Sequence, residues 1–389
     1  MHADEHEDFP WHLGIYDAHC HPTDTMSSIA QIPAMKATKL AVMSTRGEDQ
    51  DLVLEVARPE AGSARHIIPC FGWHPWFSHQ LIIDIDIDSK GSLLSLLPLS
   101  QKAVIDKDDG VAHYRKVLTP PPSPSLELDH EFLSSLPRPL RLSQYLSETK
   151  RRLLSFPNSL VGEVGLDRAF RLPNPWSVAD LENRNVQITP GSREGRSLSP
   201  YKVQITHQKA LLKAQLRLAG ELCRPVSVHS VQAHGAVLDA LRELWKGHER
   251  KVLSKRERKR RDQDSSLQSD ISTSPSGGSR PFPPRLCMHS YSGPVEQLRL
   301  FMDPKIPTDI FFSFSSVINL HGPSSQKALD VIKSLPEDRL LIESDLHTAG
   351  PMMDDSLEEV TRAVCDARGW SLNRGVQRLG ENWKAFVFG

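Results

Sequence analysis

The chain has 389 residues, of which 39% are hydrophobic and 24% charged, so it is long enough to bury a large core. No apolar stretch approaches the roughly 18 residues of a membrane-spanning helix, and the acidic start lacks the apolar core of a signal peptide. Five cysteines without a C-x-x-C pair argue against a disulfide framework and a cysteine zinc knuckle. We therefore expect an intracellular protein, cytoplasmic or nuclear, without membrane contact.

Eight short apolar or β-branched runs follow one another along the chain, with helical patterns between most of them. The runs are GIYDAH, KLAVMST, HIIPCFGWH, LVGEVGLD, PVSVHS, RLCMHSYS, DIFFSFSS and LLIESD. The clearest helical stripe, in ITHQKALLKAQLRLAGELC, contains Leu211, Leu212, Leu216, Ala219 and Leu222. Strands that alternate with helices predict parallel βα units, and eight such units close into a barrel. The sequence therefore predicts an α/β fold, a (β/α)8 TIM-type barrel that forms one domain over residues 1–389.

Three stretches interrupt this alternation and read as long loop insertions outside the core. The first, about 78–139, contains TPPPSPS, whose prolines end helices and interior strands. The second, about 172–200, is polar and rich in turn residues. The third, about 248–284, is too polar to fold alone, and we expect it to be disordered.

The formal net charge of −1 hides an uneven distribution of charge. Residues 250–261 include eight basic residues and one glutamate, a net charge of +7, which leaves −8 for the rest of the chain. This run is either a solvated insertion or a nuclear-import or nucleic-acid tether. The rest of the chain has no basic face interleaved with aromatic residues, which favours a strand end or a short single strand as any nucleic-acid substrate.

The first strand run ends in two histidines at alternate positions, His19 and His21, within DAHCH. Side chains two apart in a strand point to the same side, so we expect both rings to meet in one small volume. This geometry suits a metal ion, but the pair alone also suits a solvated loop or a hydrogen-bonded core pair. Compatible ligands at other strand ends would decide between them.

Ionisable side chains recur where the other strand runs finish: His74, Glu163, Asp167, His229, His289, Glu343 and Asp345. The C-terminal rim of a parallel barrel is where catalytic groups collect. Glu163 lies between glycines on an apolar strand, where a buried carboxylate needs an ion or a cationic partner. His74 has aromatic packing as an alternative, Asp345 has a helix N-cap role, and Asp167 is expected to orient its neighbours. Four histidines lack this placement and are assigned no role: His207, His234, His321 and His347.

Four histidines and two carboxylates exceed the ligands of one four-coordinate zinc and suit two divalent cations that share a carboxylate. Two cations about 3.5–4 Å apart lower the pKa of a bound water to about 7 and contact both the attacking and the leaving oxygen of a phosphate ester. Ligands of these types accept Zn or Mn and, less readily, Mg. The pattern therefore predicts hydrolytic chemistry.

Seven segments resemble, in order, the signatures of the TatD family of metal-dependent hydrolases: DAHCH, GWHPW, GEVGLD, PVSVHS, MHSYSGP, LIESD and ENWKAFVFG. The resemblance spans almost the whole chain apart from the insertions. It implies a TIM-type barrel of the amidohydrolase kind, two divalent metal ions and DNase activity, commonly 3′-to-5′ exonuclease action. The length and insertions most resemble fungal TatD-like proteins named as interactors of a tetratricopeptide-repeat subunit of the anaphase-promoting complex, which implies such a partner.

The same resemblance implies six ligands: His19, His21 and Asp345 for one metal, Glu163 as the bridge, and His229 and His289 for the other. It further implies that His74 meets the phosphate and that Asp345 accepts the proton of the nucleophilic water.

Two features depart from the family pattern. The arginine that the family places just after the fifth-strand histidine is replaced by Val231 and Gln232, and LHTAG follows the last aspartate where the family has a small residue and proline. Three functions therefore stay open. They are a two-metal phosphodiesterase acting on DNA, an amidohydrolase of a small amide, ester or lactone, and a barrel with reduced catalysis that binds a repeat-protein scaffold.

Overall fold

The computed structural model of the protein describes residues 8–89, 91–97, 105–177, 181–182, 184–185, 195–252, 280–323 and 325–389. Eight strands form its two larger parallel sheets, and each overlaps one of the eight runs predicted from the sequence; a third, two-stranded parallel sheet joins Leu81–Ile82 and Leu140–Arg141. The eight strands are β1 (Tyr16–Cys20), β2 (Lys39–Met43), β3 (Ile67–Cys70), β4 (Val161–Asp167), β5 (Val226–Val231), β6 (Arg285–Met288), β7 (Asp309–Phe314) and β8 (Leu340–Ile342). Almost every residue of these strands is buried, which explains their nearly continuous apolar sequences.

The eight strands form the predicted (β/α)8 barrel. Strands β1 to β3 make one parallel sheet, and β4 to β8 make a second in chain order. Backbone hydrogen bonds join the two sheets at both seams. Between β3 and β4 the Phe71 N–H donates to the Leu160 carbonyl (3.0 Å), and beyond β8 the Asp345 N–H donates to the His19 carbonyl of β1 (3.0 Å). The second seam therefore joins two segments that carry predicted site residues.

Ten α-helices lie in the described part of the chain. They are α1 (Gly47–Val56), α2 (Lys107–Val117), α3 (Glu127–Ser135), α4 (Leu142–Ser155), α5 (Ile205–Glu221), α6 (His234–Trp245), α7 (Val295–Phe301), α8 (Ser325–Ser334), α9 (Pro351–Arg368) and α10 (Leu372–Val387). In α5 the predicted apolar stripe is buried, except that Leu222 follows the helix and is half-buried. None of the helices described is long and apolar enough to cross a membrane.

The C-terminal helix α10 supports the strand that carries the first histidine pair. Trp383 and Phe386 are buried in one cluster with Ala41 and Met43 of β2. The Trp383 indole N–H also donates to the carbonyl of Asp17 in β1 (3.2 Å). The terminal segment of the sequence thus fixes the barrel strand that leads into the site.

The first two predicted insertions contribute to a small second core, which was not predicted from the sequence. Helices α2 and α3 pack their apolar faces together, and two-residue strands at Leu118–Thr119 and Lys202–Val203 pair antiparallel beside them. The cluster consists of Tyr114, Val117, Leu118, Phe132, Leu133, Leu172, Tyr201 and Val203. Each helix is short and each apolar face is narrow, so neither stands out in a segment rich in proline and charge.

The third predicted insertion is described only at its ends, because residues 253–279, with most of the basic run, lie outside the described residues. Its C-terminal end belongs to the barrel core. Phe282 is 1% exposed, and a Cβ added to Gly220 of α5 would lie 2.4 Å from the Phe282 carbonyl oxygen. The predicted insertion therefore includes residues at its C-terminal end that belong to the core.

We expect Phe282→Ala to lower the free energy of unfolding by about 3–5 kcal/mol, because it leaves a cavity beside α5. Deletion of residues 253–279 should change the unfolding temperature little, since their polar composition offers almost no apolar surface to bury. Thermal and urea unfolding of the two variants test this contrast. A deletion that costs several degrees, or an alanine variant as stable as the wild type, would contradict it.

Candidate metal centre

His19, in β1, and His21, directly after β1, lie close together, as predicted from the sequence. His19 is fully buried, and its Nδ1 lies 2.8 Å from the hydroxyl of Ser227 in β5, across the barrel. This contact orients the ring so that His19 Nε2 lies 3.1 Å from His21 Nε2. Two imidazole nitrogens are thereby brought to one point at the mouth of the barrel.

Glu163 in β4 faces this pair with one of its two carboxylate oxygens. Its Oε2 lies 3.4 Å from the Nε2 atoms of both His19 and His21. Glu163 is 3% exposed, so the carboxylate has been removed from water and depends on these partners. The first half of the centre therefore consists of one carboxylate oxygen and two imidazole nitrogens.

The other oxygen of Glu163 faces a second group of histidines from β5, β6 and the loop after β3. Around Oε1 lie His229 Nδ1 at 2.7 Å, His289 Nε2 at 2.7 Å and His74 Nε2 at 3.1 Å. All three rings are at least nine-tenths buried. Glu163 thus separates two clusters of ligand atoms, with one oxygen directed to each.

Asp345 completes the cluster around His19 and His21. Its Oδ1 lies 3.7 Å from His21 Nε2 and 3.9 Å from His19 Nε2. Its φ is +55°, a left-handed conformation that few residues other than glycine adopt, and such strain often marks functional residues. Helix α9 begins only at Pro351, with Gly350 as its N-cap, so the N-cap alternative for Asp345 is wrong.

Two carboxylates outside these clusters orient the histidines. Asp167 Oδ2 lies 3.1 Å from His229 Nε2 and accepts from the Trp76 indole N–H (2.6 Å). Glu343 is fully buried, lies 3.5 Å from His289 Nδ1 and accepts from the Ser290 N–H (2.7 Å). Carboxylates behind metal-binding histidines fix the ring orientation and raise its basicity. The orienting role predicted for Asp167 agrees with this placement.

Glu163 is the negative centre of a cluster of imidazoles. Burial by itself raises the pKa of a carboxyl, but His74, His289 and His19 hold the pKa of Glu163 well below its usual range. Burial lowers the pKa of a histidine, but for His21 and His289 the opposite effect of nearby carboxylates, chiefly Glu163, is larger. This effect raises the pKa of His21 to about 9 and that of His289 well above its ordinary value. Protons on these rings therefore balance the charge of Glu163, and a cation would displace them.

Two other histidines of the centre are neutral near pH 7. Burial lowers the pKa of His74 to about 4, and it also lowers the pKa of His19, more than Glu163 raises it. A neutral imidazole keeps a nitrogen lone pair, which is the form that binds metals. His19 therefore needs to lose no proton to become a ligand.

The donor set fits divalent cations. Three groups each offer ligand atoms that lie within 4.8 Å of one another: His19, His21 and Asp345; His74, Glu163 and His229; and His19, His289 and Glu343. Imidazole nitrogens and carboxylate oxygens are ligands that Zn, Mn and Fe accept. Because the donor atoms converge and all but those of Asp345 are buried, these groups could hold metal ions.

We expect the affinity for a divalent cation to rise with pH up to about 9, because His21 and His289 must lose protons as the metal binds. Below this pH each bound cation should release protons. Calorimetric titrations in two buffers of different ionisation enthalpy, between about pH 6 and about pH 9, measure both quantities. An affinity independent of pH, with no proton release, would contradict the assigned protonation states.

A polar group that was not predicted from the sequence lies beside His21. Asp24 Oδ2 lies 2.8 Å from His347 Nδ1, and its Oδ1 lies 3.5 Å from the buried guanidinium of Arg46. The His347 ring stacks on His21 with 5.3 Å between centroids, although the sequence assigned His347 no role. The sequence contains one weak indication of this polar group, because Asp24 follows His21 by three residues.

A sequence profile described as TatD-related DNase matches residues 16–387. The chain belongs to the TatD family. This family consists of metal-dependent hydrolases, in agreement with the convergent histidines and carboxylates of the centre. The family resemblance predicted from the seven sequence segments is thereby confirmed.

This chain matches two relatives over nearly its whole length. It is 35% identical over 376 residues to the Cut9-interacting protein scn1 of Schizosaccharomyces pombe. The aligned residues cover 96% of this chain and 98% of the relative. It is 26% identical over 389 residues to an uncharacterized deoxyribonuclease of Saccharomyces cerevisiae, covering 96% and 99%. The similarity therefore covers nearly the whole of this chain and of both relatives.

The fold is similar to the crystal structure of YJJV, a TatD homologue from Escherichia coli K12. The TM-score is 0.50 at 17% identity, and the match covers 96% of this chain and 97% of the other. At this identity the likeness concerns the fold alone. It supports the TIM-type barrel of the TatD family.

Proposed function

We propose that the protein is a divalent-metal-dependent phosphodiesterase that removes nucleotides from the 3′ ends of DNA or from short single strands. The observation that carries this proposal is the position of Glu163, whose two carboxylate oxygens face different clusters of histidines. A carboxylate between two ligand sets can hold two cations close together, as two-metal hydrolysis of phosphate esters requires. The family and the deoxyribonuclease relative support the same chemistry.

The proposed ligands divide between the two oxygens of Glu163. One cation would be held by His19, His21 and Asp345, and the other by His229 and His289. When bound, the cations supply an activated water and neutralise charge on the phosphoryl group. Asp345 belongs to one ligand set and is 15% exposed on its side chain, so it can both hold a cation and accept a proton from water.

His74 has a different role from the ligands in this proposal. Its Nε2 lies 3.1 Å from Glu163 Oε1, and its Nδ1 accepts a hydrogen bond from the Trp76 N–H (3.2 Å). The ring is therefore fixed on both sides beside the second ligand cluster. We assign it to the phosphate oxygens of the substrate: its Nε2–H, which donates to Glu163 in this structure, would donate to a phosphate oxygen once cations bind Glu163.

The substrate assignment is tested with metal-depleted protein reloaded with Mg, Mn or Zn. Single-stranded oligonucleotides labelled at the 5′ end, with either a free or a blocked 3′ end, are incubated with each form. We expect a ladder of products shortened from the 3′ end, and no ladder when that end is blocked. Equal cleavage of both substrates would contradict the polarity, and inert protein with every metal would contradict the nuclease.

A second candidate is a barrel that binds a protein partner with reduced catalysis. The relative that is 35% identical is named a Cut9-interacting protein, and this chain has Val231 and Gln232 where the TatD pattern expects an arginine. The tetratricopeptide-repeat partner inferred from the sequence stays a prediction. A protein that binds such a repeat but cleaves no phosphodiester with any metal would favour this candidate.

A further inference from the structure

Two aromatic rings stack at the surface directly beside the candidate metal centre. Trp76 follows β3 and Phe170 follows β4, and their rings are parallel within 10° with 4.5 Å between centroids. Trp76 is 37% exposed, and Phe170 is half-buried. A stacked pair that remains in contact with solvent leaves aromatic surface available to a ligand.

The pair is connected to the metal centre through one carboxylate. Asp167 accepts from the Trp76 indole N–H through Oδ2 (2.6 Å) and from the Phe170 backbone N–H through Oδ1 (2.8 Å). The same Oδ2 lies 3.1 Å from His229 Nε2. Both rings are therefore held at a fixed position relative to His229, so the pair is part of a built site and not a loose surface patch.

The distances place the pair next to the reacting end of a substrate. The Trp76 ring lies 4.7 Å from the His74 ring and 6.0 Å from the His229 ring, measured between centroids. A phosphate bound at the histidines would thus have these two aromatic side chains as its immediate neighbours. A nucleobase joined to that phosphate through one sugar would reach the Trp76 and Phe170 rings.

Basic residues adjoin the pair in the sequence. Arg168 and Arg171 flank Phe170 in the sequence and are exposed, and within the described part of the chain neither forms an ion pair. Aromatic faces next to arginines are the combination by which proteins hold single-stranded nucleic acid, because bases stack and phosphates meet the guanidinium groups. Packing alone would not require this combination at the mouth of the barrel.

We propose that Trp76 and Phe170 form a stacking platform for the nucleobase adjacent to the scissile phosphate. This inference rests on the proposed phosphodiesterase function and adds how the substrate is held. A base contacted through its π-face is held without reading its sequence, so the platform favours any nucleotide over an abasic residue. It also favours an unpaired end, since a base stacked on protein has left its own duplex.

The test uses Phe170→Ala in the full chain. Phe170→Tyr keeps an aromatic ring at this position, and Phe388→Ala is the matched control, because Phe388 is an exposed aromatic residue outside the platform. Binding of a fluorescein-labelled single-stranded oligonucleotide is measured by anisotropy in EDTA, which needs no catalysis. We expect Phe170→Ala to raise Kd about tenfold. Phe170→Tyr and Phe388→Ala should bind as the wild type does, and all three variants should keep the wild-type unfolding temperature.

A second readout uses cleavage of oligonucleotides with an intact or an abasic 3′-terminal residue. The wild type should prefer the intact end by about tenfold in kcat/KM, and Phe170→Ala should lose this preference. If Phe170→Ala cleaved DNA and kept both the wild-type affinity and the wild-type preference for an intact 3′ end, the platform would be overturned but the nuclease function would not. Ring-dependent binding without cleavage would contradict the nuclease but not the platform, and a wild type that neither binds nor cleaves DNA would overturn both.

Discussion

Replacing Glu163 with glutamine is expected to abolish stoichiometric binding of divalent metal at both ligand clusters. Glutamine keeps the shape of the side chain but removes the negative charge, and one of its two terminal atoms becomes an NH2 donor that cannot bind a cation. Because Oε1 and Oε2 face different histidines, one substitution affects both clusters. Elemental analysis after dialysis against Zn or Mn measures the loss.

The same substitution should also destabilise the metal-free protein by about 3–5 kcal/mol near pH 7, the typical cost of removing one partner from a buried ion pair. The charge of Glu163 raises the pKa of His21 to about 9, so protonation of this ring stabilises the fold at low pH, and this contribution is lost as the pH rises through about 9. The difference between wild type and variant should therefore shrink above that pH.

Unfolding in EDTA at several pH values measures this effect, and Glu358→Gln serves as the control. Glu358 lies on the surface of α9, where it pairs with Arg362 at 2.8 Å. Loss of a partly exposed pair of this kind costs at most about 1 kcal/mol. If Glu163→Gln retained both metals, or were as stable as Glu358→Gln, Glu163 could not be the charged bridge of the centre.

Asp345→Asn is expected to lower the rate of hydrolysis by roughly 10²–10⁴-fold, the range typical of losing a general base. The amide preserves the side-chain shape but neither attracts a cation as strongly nor accepts a proton from water. The fold should be unchanged, because the Asp345 N–H that bonds the His19 carbonyl belongs to the backbone. Rates on a 3′-ended oligonucleotide under matched metal, with unfolding temperatures, measure both expectations.

Asp355→Asn provides the control, since Asp355 is exposed on α9 and lies outside the ligand clusters. It should cleave at the wild-type rate. Equal rates for Asp345→Asn and the wild type would indicate a contaminating nuclease or a different site. If Asp345→Asn lost cleavage but kept its affinity for a protein partner, the catalytic and binding roles would be separable.

The sequence was informative where local pattern and barrel geometry act together. Alternating positions bring together His19, in β1, and His21, directly after β1, and the parallel barrel brings β4, β5 and the end of β6 to the same rim. The convergence of the six predicted ligands follows from these two rules. Which atoms face one another does not follow, because ring orientation depends on partners such as Ser227 that are distant in sequence.

The features that the sequence analysis missed depend on contacts between segments far apart in the chain. The small core of α2 and α3 joins residues near 114 with residues near 201, and no local period indicates that pairing. Phe282 lies in a polar stretch, and only the close approach to Gly220 shows that it is buried. His347 gains its position beside His21 from Asp24, more than 300 residues earlier in the chain.

The most direct test of the two-cluster centre is a crystal of the protein soaked in Mn²⁺ and measured at the manganese absorption edge. We expect two anomalous peaks about 3.5–4 Å apart, one beside each carboxylate oxygen of Glu163. One should lie among His19, His21 and Asp345, and the other between His229 and His289. A single peak, or peaks beyond ligand distance of Glu163, would contradict the shared carboxylate on which the proposed mechanism depends.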